Sequence, residues 1–317
     1  MKKRVSEISP GDLVRSTFLV KTKAMAKTRD GRDYADVELM DRTGAINGKI
    51  WDDFRQYFTA FEEGDFVEVQ GFAEPFKGKV QLKISSVRRL DEAEIKLEEY
   101  LPRSAREPED MLEELKDIIS RMENKDLVRL LYSFLEDEEI VARLKRAPGA
   151  KERHHTYLGG LLEHTLSVTR LALMVGEHYK PLDMDLLLTG SILHDIGKVY
   201  ELSYDGPFDY TDLGSLTEHI MLGVELINSK IMGLQGFPQE LAMKLKHMIL
   251  SHHGHYEFHS PVLPMTLEAL ILHFLEDMDG KVNKVKELMQ EAKETGSCWT
   301  IKDWALKRRF YLGRHED

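Results

Sequence analysis

Cysteine is almost missing: Cys298 is the single one in 317 residues, which excludes an internal disulfide and a thiolate-built metal cluster. That scarcity suits a reducing compartment, and a cytoplasmic location is expected. No run reaches about eighteen apolar residues, so no membrane-spanning helix and no membrane partner are expected. Met1 to Arg4 is basic but leads into Ser6, Glu7, Ser9 and Pro10, not the apolar core of a signal peptide. There is no Gly-x-Ser-x-Gly elbow, no phosphate loop and no dinucleotide glycine fingerprint, so the chemistries those motifs serve are poorly supported. No solenoid-type repeat is visible. Histidine is absent from the first 150 residues: all thirteen lie beyond them.

Positive charge is also short overall, with a net charge of −11. The deficit is uneven. Residues 1–90 carry roughly +3 and the remainder roughly −14, so a mildly basic front end precedes an acidic body. The front end reads as strands over 13–23, 33–41, 44–51, 65–72 and 79–87, with turn formers such as Asp30-Gly31 and Lys77-Gly78 between them. One helical insert, 52–61, falls between the third and fourth strands. Five strands with a helix in that place is the order of an OB-fold, a small barrel that often binds oligonucleotides. After about residue 91 the chain reads as helix, over about 109–122, 126–135, 137–145, 160–178, 183–194, 216–230, 239–252, 265–290 and 300–309.

Strand parity separates two faces of the barrel. Ala35, Val37 and Leu39 share one face of their strand, opposite Tyr34, Asp36 and Glu38. Ile46 and Ile50 oppose Asn47, Lys49 and Trp51; Val80, Leu82 and Ile84 oppose Lys79, Gln81 and Lys83. Tyr34, Lys49, Trp51, Lys79 and Lys83 thus fall on the polar parity, where rings stack bases and cations follow phosphates. The same two rings equally suit a role covering the barrel ends.

The histidines cluster around chemistry. His164 shares a helical face with Leu161, Val168, Leu171 and Val175 and points into the bundle. His194 and Asp195 end an apolar helix, and Gly190 one turn earlier permits close helix approach. An aspartate at the buried end of such a helix is strongly destabilising unless it is paired or bound to a cation. His219, the pair His252-His253 and the acids Glu276, Asp277 and Asp279 complete the candidates. Imidazole with carboxylate suits Mn²⁺, Fe²⁺, Co²⁺, Ni²⁺ or Zn²⁺ better than Mg²⁺. Six or seven ligands exceed one tetrahedral site, and favour two ions about 3.5–4 Å apart of the kind that serve in-line displacement at phosphorus. His154, His155, Gly159 and Gly160 precede the His164 helix, where bare backbone N–H groups admit a substrate phosphate or simply join two segments.

The spaced set His164, His194-Asp195 and a distal acid resembles the HD superfamily of metal-dependent phosphohydrolases. The order His164, His194-Asp195-Ile196-Gly197-Lys198, His219, His252-His253, acid resembles its bimetallic members. With an OB-fold in front, the chain is similar to the YhaM-type 3′→5′ exoribonucleases. The matches include His154-His155, Gly159-Gly160-Leu161-Leu162-Glu163-His164-Thr165, Leu250-Ser251-His252-His253-Gly254 and Ser260-Pro261-Val262-Leu263-Pro264-Met265, and the likeness spans nearly all of residues 10–285.

This resemblance implies a multi-domain chain, an all-β OB-fold barrel followed by an all-α HD-domain bundle. The expected limits are 1–90 for the barrel, 91–150 for a helical connection and 151–317 for the HD domain with its C-terminal helices. It implies a divalent cofactor, two ions with manganese first, held by His164, His194, Asp195, His219, His252, His253 and Glu276 or Asp279. Lys198 faces phosphate in that scheme, Asp195 and Lys198 are catalytic, and the partner is single-stranded RNA or single-stranded DNA. Water activated at the metals would cut the terminal phosphodiester to release a 5′-mononucleotide. Two rival functions are hydrolysis of a cyclic dinucleotide or other small nucleotide, and nucleic-acid binding without catalysis.

The distal acid is where the chain departs from its relatives, having Leu275-Glu276-Asp277-Met278-Asp279-Gly280 where the superfamily has an Asp-x-x-Asp-Ala-like segment. Register places Glu276 in the ligand position. Helical periodicity instead names Leu267, Ile271, Phe274, Met278 and Val282 as the buried face, with Asp279 nearer to it than Glu276. Both remain candidates, and a one-residue distortion would bring in Asp277.

Overall fold

The computed structural model describes residues 2–313 apart from 29, 53, 92–93 and 152–154. The chain divides into two compact units, Met1–Arg103 with Ser203–Asp209, and Ser104–Leu202 with Tyr210–Asp317.

In the first unit, alternation of apolar and polar residues produces strands with one dry face. β1 (Leu13–Lys27), β2 (Asp33–Asp41), β3 (Gly44–Ile50), β4 (Phe66–Phe76) and β5 (Lys79–Arg89) close into a barrel of order β1-β2-β3-β5-β4. Helix α1 (Phe54–Phe58) lies between β3 and β4, as the OB-fold order requires. β1 is long enough to pair with β4 through Leu13–Leu19 and with β2 through Leu19–Lys27, and an irregularity between Val20 and Thr22 turns it from one partner to the other. Ala35, Val37 and Leu39 from β2, Ile46 and Ile50 from β3, and Leu82 and Ile84 from β5 all enter the core with Phe18, Val67 and Val69. The polar parity therefore faces outward, except that Gln81 of β5 is buried.

The second unit is helical: α2 (Pro108–Ser120), α3 (Lys125–Leu135), α4 (Glu138–Arg146), α5 (Gly160–His178), α6 (Met184–Leu193), α7 (Lys198–Glu201), α8 (Asp212–Gly233), α9 (Gln239–Ser251) and α10 (Leu267–Glu294). Side chains accepting backbone N–H groups start several of them: Asn124 for α3, Asp137 for α4, Asp183 for α6, Thr211 for α8 and Thr266 for α10. α6 is apolar on every side, and each residue from Leu186 to Leu193 is buried, as befits a helix enclosed by others. It packs against α3, α5, α9 and α10. A side chain at Gly190 would meet the Met248 Cε at 2.3 Å, so the Met248 side chain fills the space glycine leaves between α6 and α9. Among the described residues no helix is long and apolar enough to cross a membrane.

Two expectations fail here. Residues 300–309 form turns and not a helix: Asp303 accepts from the N–H groups of Ala305 and Leu306, and Thr300 N–H donates to the Phe310 carbonyl. Side-chain acceptors of this kind offer the backbone an alternative to the helical ladder. The stripe expected to be the buried face of α10 is outside. Phe274 is 59% exposed and Met278 43%, while Ala269, Leu272, His273, Leu275, Asp279 and Gly280 face inward. Polar partners decide the rotation: His273 Nδ1–H donates to the His252 carbonyl at 3.0 Å, and Asp279 accepts from α5.

Candidate metal centre

Because α6 is enclosed, its C-terminal end delivers His194 and Asp195 into the interior, where they are 0% and 2% exposed. Five imidazoles gather there in one chemical form. Nδ1 of His194 faces the Ser191 carbonyl at 2.9 Å, Nδ1 of His252 the Ile249 carbonyl at 2.7 Å and Nδ1 of His253 the Phe258 carbonyl at 2.7 Å. Nδ1 of His164 faces Asp279 Oδ2 at 2.8 Å, and Nδ1 of His219 faces Glu201 Oε1 at 3.0 Å. Carbonyls and carboxylates only accept, so Nδ1 carries a proton in each ring, and in the neutral imidazole Nε2 keeps a lone pair.

Those Nε2 atoms converge on Asp195 in two groups. Nε2 of His164 and His194 lie 3.6 and 3.4 Å from Oδ2, and Nε2 of His219 and His252 each lie 3.5 Å from Oδ1. His253 stands with His219 and His252, their donor atoms within 4.8 Å of one another. Lys198 Nζ donates to Oδ2 at 2.7 Å. Burial opposes ionisation of Asp195, but Lys198 and His194 more than offset it and hold the carboxyl well below its usual range. Burial likewise opposes the Lys198 ammonium, and the Asp195 charge raises it above its ordinary value. Burial lowers His164 and His252 to about 4, so both are neutral and ready to ligate near pH 7.

This donor set fits divalent cations. Asp195 Oδ1 and the Nε2 atoms of His219 and His252 are buried with no hydrogen-bond partner among the described residues. The Nε2 atoms of His164 and His194 stand 3.2 Å apart with both protons at the far sides of the rings. Lone pairs directed at one another in a dry interior need something positive between them.

The three acids separate by environment. Asp279 accepts from Ser167 Oγ at 2.5 Å, from His164 Nδ1 at 2.8 Å and from His155 Nε2 at 3.3 Å. It therefore stands behind His164, on the side away from Asp195. Asp277 pairs with Lys281 one helical turn on, at 2.6 Å. Glu276 is half-buried, and burial followed by repulsion from Asp195 pushes its carboxyl up to about 7.

His155 is buried, with φ +56° and Nδ1 at 2.6 Å from the Tyr157 hydroxyl. Gly159 adopts φ +77° as the residue that starts α5, and a Cβ on Gly160 would lie 2.1 Å from the His155 carbonyl oxygen. His154 lies outside the described residues. On the barrel, Tyr34 and Trp51 stack with centroids 4.5 Å apart, and Lys49 sits 4.9 Å over the Tyr34 ring while paired to Asp36 at 2.6 Å. Lys79 and Lys83 are exposed on β5, directly across from Phe76 and Phe72 of β4.

Sequence reasoning passed over Glu201 and Ser167, which stand behind the histidines, and the outward-facing Phe72 and Phe76. Parity was signal enough for the two phenylalanines, since both follow the outward register of Glu74. Gly197 is another. A Cβ there would lie 2.0 Å from the His219 carbonyl oxygen and 2.7 Å from the Gly223 nitrogen, so only glycine lets the turn after Asp195 rest on α8. Gly197→Ala is expected to lower the stability of the helical unit by about 3 kcal/mol, the upper end for overpacking against immobile backbone. Urea unfolding followed by circular dichroism at 222 nm measures this, and an unchanged midpoint would contradict the packing described.

Comparison with known proteins agrees with both halves. A family model for the HD domain matches residues 161–279, and one for an OB-fold nucleic acid binding domain matches residues 18–90. A curated 3′-5′ exoribonuclease YhaM from Geobacillus sp. (strain WCH70) is 33% identical over 312 residues, which is 98% of this chain and 95% of that protein. Among solved structures, the second OB-fold domain of replication protein A from Methanococcus maripaludis is 21% identical, covering 29% of this chain and 97% of its own, with a TM-score of 0.25. Pot1pC of Schizosaccharomyces pombe bound to single-stranded DNA is 14% identical over 30% of this chain and 89% of its own, with a TM-score of 0.27.

Proposed function

The chain belongs to the YhaM family and is a metal-dependent 3′-5′ exoribonuclease; from that premise we propose that it takes single-stranded RNA on the outer face of its barrel and removes nucleotides at the Asp195 centre. The observation that carries the catalytic half is the Asp195 carboxylate set between two groups of Nε2 atoms, with three buried ligand atoms lacking a partner among the described residues. His164, His194 and Glu276 would hold one ion on the Oδ2 side, and His219, His252 and His253 another on the Oδ1 side. Divalent ions bound there polarise phosphoryl oxygens and activate water. Manganese is the first choice of ion for this imidazole and carboxylate set.

The chain's own groups prepare that centre. The five Nδ1–H hydrogen bonds hold each ring in its ligating form before any ion arrives, so little reorganisation remains. Lys198 keeps its ammonium beside Asp195, where a phosphoryl group brought to the centre gains a positive neighbour. Asp279 is a positioning residue in this scheme, holding the His164 ring from behind. His155 shares that task, since its Nε2 also faces Asp279.

For the barrel, β4 and β5 extend the binding surface beyond the residues expected. Phe72 and Phe76 are 42% and 50% exposed, and each lies across the ladder from a lysine, Lys83 and Lys79, that makes no ion pair among the described residues. Lys77 adds a third cation 5.4 Å over the Phe76 ring. Exposed rings alternating with free cations suit stacked bases and a phosphate backbone. The Tyr34–Trp51 stack, with Lys49 already neutralised by Asp36, offers less. Phe72→Ala with Phe76→Ala is expected to weaken binding of a single-stranded oligoribonucleotide by about tenfold, more than Tyr34→Ala does. Filter binding at one fixed salt concentration decides; equal loss in both variants would return the interface to Tyr34 and Trp51.

Incubating the protein and Mn²⁺ with a 5′-labelled single-stranded RNA, the matching DNA and a cyclic dinucleotide tests the function as a whole. A ladder shortening from the RNA 3′ end is the expected result, and turnover of the cyclic compound alone would replace it.

A further inference from the structure

Helix α8 is not one helix. Glu218 breaks it with φ +57° and ψ +156°, a conformation otherwise kept for glycine, and the residue that begins the second piece is His219. A new helix start leaves N–H groups without intrahelical acceptors. Here the acceptor comes from elsewhere in the chain. Glu201, at the end of α7 and 5% exposed, places Oε1 2.9 Å from the His219 backbone nitrogen and 3.0 Å from its Nδ1. One carboxylate oxygen thus serves the main chain and the ring of the same residue.

Glu201 is itself fixed from both sides of the break. Its carbonyl accepts from the Thr211 N–H at 2.9 Å, and a Cβ on Gly214 in the first piece of α8 would lie 2.3 Å from that same carbonyl oxygen. Three residues earlier Lys198 is paired to Asp195, and four residues earlier Gly197 touches the His219 carbonyl. The short segment after His194-Asp195 therefore runs from one side of the centre to the other. What it carries at its end is a negative charge placed at a helix start, where the helix dipole favours it.

We propose that Glu201 is the positioning residue that builds the Oδ1 half of the metal centre: it fixes the proton of His219 on Nδ1 and anchors the helix break that points Nε2 at Asp195. The proposal rests on the reading of the Asp195 cluster as a metal centre. It sets the backbone and the ring of His219 by one and the same partner. A helix that ran straight through Glu218 would carry the ring elsewhere, so the strained residue and the buried carboxylate form one device.

Titrating the metal-free full-length protein with Mn²⁺ by isothermal calorimetry tests this. Glu201→Gln keeps the size of the side chain and an oxygen for the backbone N–H but removes the charge, and it is expected to weaken Mn²⁺ binding by about 10–100-fold. His219→Ala is expected to weaken it as well, and the double variant no further than His219→Ala alone, because Glu201 acts only through that ring. Long-range ¹H–¹⁵N spectra of the metal-free wild type should show His219 protonated on Nδ1, a readout that needs no metal and no folding of a variant. Unchanged Mn²⁺ affinity in Glu201→Gln, additive losses in the double variant, or a His219 proton on Nε2 would each overturn the proposal. Wild type that binds no Mn²⁺ would instead remove the metal centre itself, and is distinguishable because Asp195→Asn would then titrate identically to wild type.

Discussion

Asp195→Asn is expected to reduce shortening of a single-stranded RNA by about 10³-fold or more, beyond the 10²–10³ that a single electrostatic donor supplies, while leaving RNA affinity within about twofold of wild type. The amide keeps the size and shape of the carboxylate, so the cause would be chemical. Oδ1 and Oδ2 each face a separate pair of imidazole Nε2 atoms at 3.4 to 3.6 Å. An amide meets one of those pairs with an oxygen and the other with an N–H, and supplies neither with negative charge. Lys198 loses its counter-charge in the same step. The barrel has its own core and belongs to the other compact unit, which is why binding survives. Labelled RNA on a sequencing gel gives the rate and filter binding gives the affinity. A variant within about tenfold of wild type would show that Asp195 is not central, and equal loss of binding and rate would point to a general failure of folding.

Much of this centre was legible because its signals were of the right kind. Strand parity is a local property with period two, and it named the inward and outward residues of β2 and β3 correctly, while on β5 it missed that Gln81 is buried. The burial of His194-Asp195 followed from the apolar run before it, since an enclosed helix carries its end inside. Other features depend on partners that are distant in sequence. The face of α10 was misjudged because Phe274, Met278 and Val282 make a continuous apolar stripe, yet the helix is turned by hydrogen bonds from His273 to the His252 carbonyl and from Asp279 to His164 and Ser167. Two or three buried polar bonds outweigh an apolar stripe when leaving them unmade costs about 1–3 kcal/mol each. Residues 300–309 failed for a related reason, an aspartate in the first turn that bonded its own backbone. Glu201 went unnoticed because nothing in its spacing from Asp195 announces that it crosses to a helix break eighteen residues on.

The proposed assignment of the distal acid to Glu276 rests on Asp279 and Asp277 having partners elsewhere, and three single substitutions should separate the candidates. Glu276→Gln is expected to lower the rate at saturating Mn²⁺ by about a hundredfold or more, exceeding what loss of a ligand's hydrogen-bond partner brings. Burial and then the charge of Asp195 push the Glu276 carboxyl up to about 7. A cation held by both carboxylates would relieve that repulsion. Asp279→Asn should instead weaken Mn²⁺ binding by about 10–100-fold and recover much of its rate when Mn²⁺ is raised. The reason is that Asp279 touches Nδ1 of His164 and not the Nε2 side, so its loss loosens a ligand without removing one. Asp277→Asn should be nearly silent, because Asp277 is engaged only by Lys281 in a surface pair worth about 0–1 kcal/mol. The Mn²⁺ dependence of the rate in the three variants is the deciding measurement. Rescue of Glu276→Gln by added Mn²⁺, together with no rescue of Asp279→Asn, would exchange their roles and put Asp279 on the metal.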